Sequence, residues 1–382
     1  MGIDTALLDR ARALVPVIEA EADLAERDTT TTQPVVDALK DSDLLWSMVP
    51  RELGGLETDI LTALAVFEEI ARADGSTGWS AMANITSSCF AAIYTGEAAA
   101  KAMFADGVRG IHAGMLGPVG TAKRVDGGYL VNGRYQFGSG CAHATHIGAG
   151  TIEVDAGGTP CNSDSGLPAM RVVLIPREQV EFRGNWDVLG LTSTGSYDYV
   201  VDDVFVPEDF SFSLLEWRQQ RGGENFGLGL FAITAAGHAG FALGVGRRAI
   251  DEIVELARTR TRMAAFEPIS AQQLFQYELA MHDSAMRSAS AGVFDAFASA
   301  DATVRSDGAA TNLQQQRIRA VTTYATKVAA DAARFAYTWA GSHGLRPGVI
   351  QRCFRDIHAG TQHIYVDNST LTGYAQALLA EG

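Results

Sequence analysis

Residues 6–25 (ALLDRARALVPVIEAEADLA) place apolar side chains three and four positions apart, the spacing of one helix face. Residues 33–41 read as a second, shorter helix. After the Gly54-Gly55 break, residues 61–73 (LTALAVFEEIARA) repeat the pattern strongly, with Thr58 or Asp59 as the N-cap. Residues 76–95 are small and apolar all round, which predicts a buried helix, and residues 97–104 add a short one. Near residue 110 the pattern changes. Asp126-Gly127-Gly128 reads as a hairpin turn between residues 122–125 and 129–131, and Asn132-Gly133 as a second turn before residues 134–137. Residues 147–154, 170–176, 180–182 and 197–205 are strand-like, and residues 157–166 form a loop by composition. Helical spacing returns from about residue 225. Four long segments, 227–257, 270–300, 311–339 and 349–379, predict an antiparallel bundle. The expected architecture is α+β: an N-terminal helical domain over 1–109, a central antiparallel β-domain over 110–210 and a C-terminal four-helix bundle over 211–382.

Composition narrows the picture. The chain has 382 residues, 47% of them hydrophobic and 20% charged, as in a folded protein with a sizeable core. The net charge is −15, and lysines and arginines do not cluster, so neither nucleic acid nor an anionic membrane is an expected partner. One or two arginines still suffice to hold a phosphorylated cofactor. No apolar run reaches the roughly 20 residues of a spanning helix, and the N-terminus lacks the order of a signal peptide. A cytoplasmic location is expected. Cys89, Cys141, Cys161 and Cys353 form no CxxC pair and are taken as free thiols. Cys141, His143 and His146 are close in sequence, but the ligands are few and no metal site is expected.

Several motifs, in order along the chain, carry a resemblance. Leu116, Gly117-Pro118 and Gly120 precede the 126–129 hairpin. Leu189-Gly190-Leu191 precedes Thr194-Gly195-Ser196, and Asp202-Asp203-Val204-Phe205-Val206-Pro207 follows. Arg262, Pro268-Ile269 and Gln273 lie in the first half of the bundle and Arg355-Asp356 in the last. Together they resemble the acyl-CoA dehydrogenase superfamily over essentially the whole chain. In its dehydrogenases a glutamate takes the substrate α-proton about nine residues after the Arg of the Arg-Asp pair. Position 364 here is Ile, and an alkyl group takes no proton. Glu252 and Glu255 remain as displaced bases, so a dehydrogenase stays an alternative.

Arg355-Asp356 followed by His363, together with residues 137–144 (FGSGCAHA), instead resembles the superfamily's two-component flavin-dependent hydroxylases. These include 4-hydroxyphenylacetate, steroid-phenol and dibenzothiophene monooxygenases. The resemblance implies FMNH2 or FADH2 supplied by a separate flavin reductase and O2 as co-substrate. A C4a-hydroperoxide would then hydroxylate a small phenolic or indolic substrate. N-hydroxylation is an alternative within the branch. The resemblance also implies a homotetramer, with Arg262 and Gln273 at flavin phosphates, Arg262 across a subunit boundary. Leu116, Gly117 and Phe137 would line the flavin. Ser139, flanked by glycines that allow close approach of a flat ring, would meet the flavin and its peroxide. His363 would be the base, since an imidazole exchanges protons near neutrality, and His112 would be a further catalytic contact. His358 lies on another helix face and reads as structural. The glycines at 237, 240, 244 and 246 lack the GxGxxG order and read as helix-packing positions.

Overall fold

The computed structural model describes residues 2–105, 107–263 and 265–380. Helix α1 (Thr5–Asp28) starts where the Asp4 carboxylate accepts the N–H groups of Ala6 and Leu7. Helices α2 (Gln33–Asp41), α3 (Ile60–Ala73), α4 (Gly75–Tyr94) and α5 (Glu97–Phe104) follow. Asp59 caps α3 and Asp74 caps α4 in the same way. Helix α4 is buried on nearly every side, as its composition predicts.

The middle of the chain is one seven-stranded sheet. Its strands are β1 (His112–Val125), β2 (Gly128–Gly138), β3 (His146–Val154), β4 (Met170–Pro176), β5 (Glu181–Phe182), β6 (Tyr197–Pro207) and β7 (Ser211–Ser213). Their order is β5-β6-β2-β1-β3-β4-β7. The sheet is mixed, not antiparallel throughout, because β1 and β3 run parallel. After β2 the chain crosses to the other side of β1 and re-enters beside His112, so β3 must follow the direction of β1. Nor is Asn132-Gly133 a turn. Strand β2 continues through it, the Asn132 amide and the Asp203 segment exchange hydrogen bonds of 2.8 and 2.9 Å, and a bulge absorbs the mismatch. The sheet also extends past residue 210, through β7.

The C-terminal segment comprises α6 (Gly229–Thr259), α7 (Gln273–Asp307), α8 (Asn312–Ala340), α9 (Val349–Gly360) and α10 (Ser369–Ala380). The last expected segment, 349–379, long enough for one or two helices, forms two, and His363 lies in the break between them. Helix α6 is long and apolar enough to cross a membrane, but 89% of that window is buried inside the protein. Its glycines serve contact with α3: a Cβ at Gly240 would lie 2.5 Å from the Phe67 Cβ, and one at Gly244 would lie 2.3 Å from the Glu68 carbonyl. The N- and C-terminal helices therefore share one core, which includes Phe67, Ile70, Trp79, Phe241, Val245 and Ile250. The N-terminal helical domain and the C-terminal helices thus pack face to face across this core. The sheet keeps its own smaller core around Tyr129, Tyr135, Ile147 and Tyr199.

Candidate active site

The site begins where β2 ends irregularly. The pairing with β6 shifts between Tyr135 and Gly138, and Phe137 takes a φ of 63°, rare for a bulky residue. This turns the Phe137 ring outward, 59% exposed, with the Trp186 ring edge-on at 6.1 Å. Leu189 is exposed as well, so an open apolar shelf borders Ser139.

The Ser139 hydroxyl is held from behind. Its Oγ accepts from Trp79 Nε1 at 3.0 Å and from Ser196 Oγ at 2.9 Å. Ser196 lies 2.6 Å from Thr194 Oγ1. The Leu191 carbonyl accepts from Thr194 Oγ1 at 2.8 Å and from Trp186 Nε1 at 3.0 Å. An indole only donates. Both Ser139 lone pairs are therefore occupied, and its own hydrogen is available to an incoming group.

The segment that supplies Thr194 and Ser196 is pinned by α9. Leu191 N–H donates to Asp356 Oδ1 at 2.6 Å, and Ser76 Oγ donates to Oδ2 at 3.2 Å. Arg355 Nη1 donates to the Leu189 carbonyl at 3.3 Å, and its Nη2 pairs with Glu26. A Cβ at Gly190 would sit 2.2 Å from the Arg355 carbonyl oxygen, so only glycine fits. Burial and the nearby Asp74 push the Asp356 carboxyl above its usual range.

Across Trp79 stand two imidazoles. Its ring meets His238 at 5.0 Å, Phe241 at 4.9 Å and His363 at 5.6 Å, all edge-on. His238 and His363 are 4.2 Å apart, and His238 stacks on Tyr365 at 5.6 Å. Burial lowers His363 to about 4. Burial, then His363, holds His238 well below the usual imidazole range. The Tyr365 N–H donates to His363 Nδ1 at 3.3 Å. A neutral His363 therefore carries its proton on Nε2 and presents a donor there.

Other expected residues lie elsewhere. The His112 ring is completely buried, with Nε2 3.0 Å from Met103 Sδ and its plane stacked on His146 at 5.3 Å. It is thus a packing residue at the start of β1. Only its carbonyl belongs near the site, where Asn84 Nδ2 bridges it and the Gly140 carbonyl at 3.0 and 3.2 Å. Leu116 and Gly117 form the bulge of β1 against Gly150. Arg262 stacks over Trp339 at 4.3 Å and donates to the Thr338 and Trp339 carbonyls, while Gln273 is exposed at the start of α7. Neither approaches Ser139 within this chain. Glu252 and Glu255 are held by Arg248 and Arg258. His143 meets Thr30, and His358 Nδ1 lies 2.6 Å from the Phe354 carbonyl as a structural group. Among the described residues no group of three metal-ligating side chains occurs. His238 was hidden in a run of small residues. Its one signal was to be the only titratable group between Phe226 and Gly246.

Two family models match: acyl-CoA dehydrogenase N-terminal domain over residues 5–108 and C-terminal domain over residues 236–368. Indole-3-acetate monooxygenase of Pseudomonas putida is 30% identical over 94% of this chain and 90% of its own length. The chain belongs to the acyl-CoA dehydrogenase superfamily. Within it, the relatives are flavin-dependent monooxygenases. The pigment production hydroxylase of a Rhodococcus species is 29% identical over 96% of this chain and 94% of its own. XiaF from Streptomyces, solved with FADH2 and glycerol, superposes with a TM-score of 0.90 at 24% identity, covering 98% and 95% of the two chains. The residues present in this superfamily member fit a flavin. The apolar shelf of Phe137, Trp186 and Leu189 would hold a flat ring system, and the Ser139 hydroxyl would donate to a hydrogen-bond acceptor on it.

Proposed function

We propose that this protein is the oxygenase component of a two-component flavin-dependent monooxygenase acting on a small aromatic, a phenol or an indole. The observation that carries this reading is the Ser139 hydroxyl, its hydrogen left free and its oxygen anchored by Trp79, whose ring packs against His238 and His363. Among the described residues no carboxylate partners any member of that cluster. A dehydrogenase needs a carboxylate there. When bound, reduced flavin supplies the activation of O2. The chain contributes position and protection. Ser139 donates to the bound ring system, and Trp79 and Ser196 fix its direction. Trp79, Phe241 and Tyr365 exclude water. His363, with a conjugate acid near 4, is a weak acceptor for a phenolic proton. Its role is to donate from Nε2 to an oxygen atom at the reacting centre, which replaces the base expected from sequence.

Reduced flavin is to come from a separate reductase, since no nicotinamide-binding motif is found in the sequence. We further infer a homotetramer. Leu274, Tyr277 and Met281 lie exposed at helical spacing along α7, and Met263 and Phe266 in the segment before it are exposed as well. An apolar stripe of this kind suits helix–helix assembly.

The test is anaerobic loading with reduced FMN or FAD followed by O2 in a stopped-flow spectrometer. A long-lived near-ultraviolet transient, decaying faster with a phenol or indole, is the expected result. Reduction of bound flavin by an acyl-CoA thioester, without such a transient, would overturn the reading in favour of a dehydrogenase.

A further inference from the structure

His238 on α6 is a buried imidazole whose nitrogens are both unspent. The residue is only 3% exposed, yet among the described residues no group bonds either ring nitrogen. Burial, then His363, keeps the ring neutral. Neither nitrogen is one of the polar atoms sealed from solvent without a partner, so each borders a space that a water-sized group can reach. The other fully buried histidine differs. His112 sets its nitrogens 3.4 Å from Ser88 Oγ and 3.0 Å from Met103 Sδ. Buried polar groups are ordinarily paired, and a phenylalanine or leucine would fill a mere packing slot without the cost of an unpaired one.

The fold fixes where this ring stands. Residues 234, 238 and 241 share one face of α6. Gly237 lets that stretch of α6 close on α4, since a Cβ there would lie 2.4 Å from Met82 Cγ. The His238 ring centre is thereby set 4.2 Å from that of His363, 5.0 Å from Trp79 and 5.6 Å from Tyr365. The polar atoms around it are committed. Trp79 Nε1 donates to Ser139, whose oxygen also accepts from Ser196. His363 Nδ1 accepts from the Tyr365 N–H, which leaves a donor at Nε2. Thr234 engages the Tyr365 phenol. Ser139 and His363 therefore present donors. A neutral imidazole keeps one nitrogen as an acceptor, and among the described residues of this cluster His238 holds the uncommitted one.

We propose that His238 is a substrate contact, one ring nitrogen accepting the O–H or N–H hydrogen of the aromatic while His363 donates to an oxygen atom at the reacting centre. As an electron-rich ring gives electrons to oxygen, positive charge builds on that O–H or N–H, and a fixed acceptor there stabilises it. His238 thus supplies the acceptor expected of His363 from sequence. The assignment deepens the oxygenase reading and takes the kind of ligand from it, but the binding it predicts does not need turnover.

Anaerobic equilibrium dialysis with excess reduced FMN would compare indole with benzothiophene and phenol with fluorobenzene. The members of each pair have similar shapes, and only the first carries the hydrogen. In at least one pair that member should bind more tightly than its match, although it is the more water-soluble. His238→Phe keeps an aromatic ring in the slot and should cut the ratio of the two affinities about tenfold, the worth of one hydrogen bond in a dry site. An unchanged affinity for the match shows that the pocket of the variant is intact. His238→Gln restores a side-chain acceptor and should recover part of the ratio. No preference in the unaltered protein, including no binding of any of these compounds, overturns the inference. So does a His238→Phe variant that keeps the ratio or weakens both members equally, as a packing role would. The preference without any near-ultraviolet transient would overturn the oxygenase reading alone, and the transient without the preference would overturn this inference alone.

Discussion

His363 differs from a free histidine in a way that pH can expose. Its folded value near 4 lies below the unfolded value of about 6.5, so the folded state resists its protonation. The stability this contributes is complete above about pH 6.5 and is lost as pH falls towards 4, by at most about 3 kcal/mol. Burial depresses His238 and His112 in the same sense. Urea midpoints should therefore fall between pH 6.5 and 4, and His363→Gln should flatten that slope. The turnover profile should show no limb near 6.5 that disappears with His363→Gln, since the ring is already neutral there. Ser139→Ala removes the outward donor while leaving the backbone in place. Product formed per O2 consumed should drop about tenfold, the worth of one hydrogen bond in a dry site, with peroxide released instead. An unchanged ratio would remove Ser139 from the chemistry.

At the scale of elements, the segment 189–196 and helix α9 behave as one device. Asp356 holds the Leu191 N–H and Ser76, and Gly190 lets the Arg355 carbonyl come close. Asp356→Ala leaves both donors buried without an acceptor, and a loss of about 2–4 kcal/mol is expected in denaturant titration. Asp356→Asn keeps an oxygen for Leu191 and should lose far less. This device shows what sequence could and could not reveal. Leu189-Gly190-Leu191 and Arg355-Asp356 were both visible as motifs, but nothing in their spacing says that they touch. Ser139 and His363 drew attention in the sequence because each stood in a motif, and the structure places both against Trp79. His238, which packs on His363, drew none, because a histidine among alanines looks ordinary until its neighbours are known. His112 misled for the opposite reason: a histidine at a strand start near the site is conspicuous, yet its ring turns into packing against Met103 and His146. Local turn chemistry also misled at Asn132-Gly133, where cross-strand bonds to Asp203 outweigh turn propensity.

Over the whole molecule, the helix boundaries followed hydrophobic spacing closely, whereas the sharing of one core between the two ends of the chain did not show in the sequence at all. The exposed stripe of Leu274, Tyr277 and Met281 bears on assembly. Tyr277→Glu combined with Met281→Glu should shift sedimentation from a tetramer to a smaller species without loss of helical signal. A monomer in the unaltered protein would count against the assembly. The glycines through which α6 seats against α3 have a further consequence during synthesis. The partner surface for α3 and α4 leaves the ribosome only after the entire sheet segment has been made, a wait of about 10–30 s at ordinary translation rates. Through that interval α3 and α4 have α1 and each other to pack against, but the face that meets α6 stays open. The nascent chain thus carries an open apolar face until α6 is made, and a fragment ending near residue 110 should aggregate rather than fold.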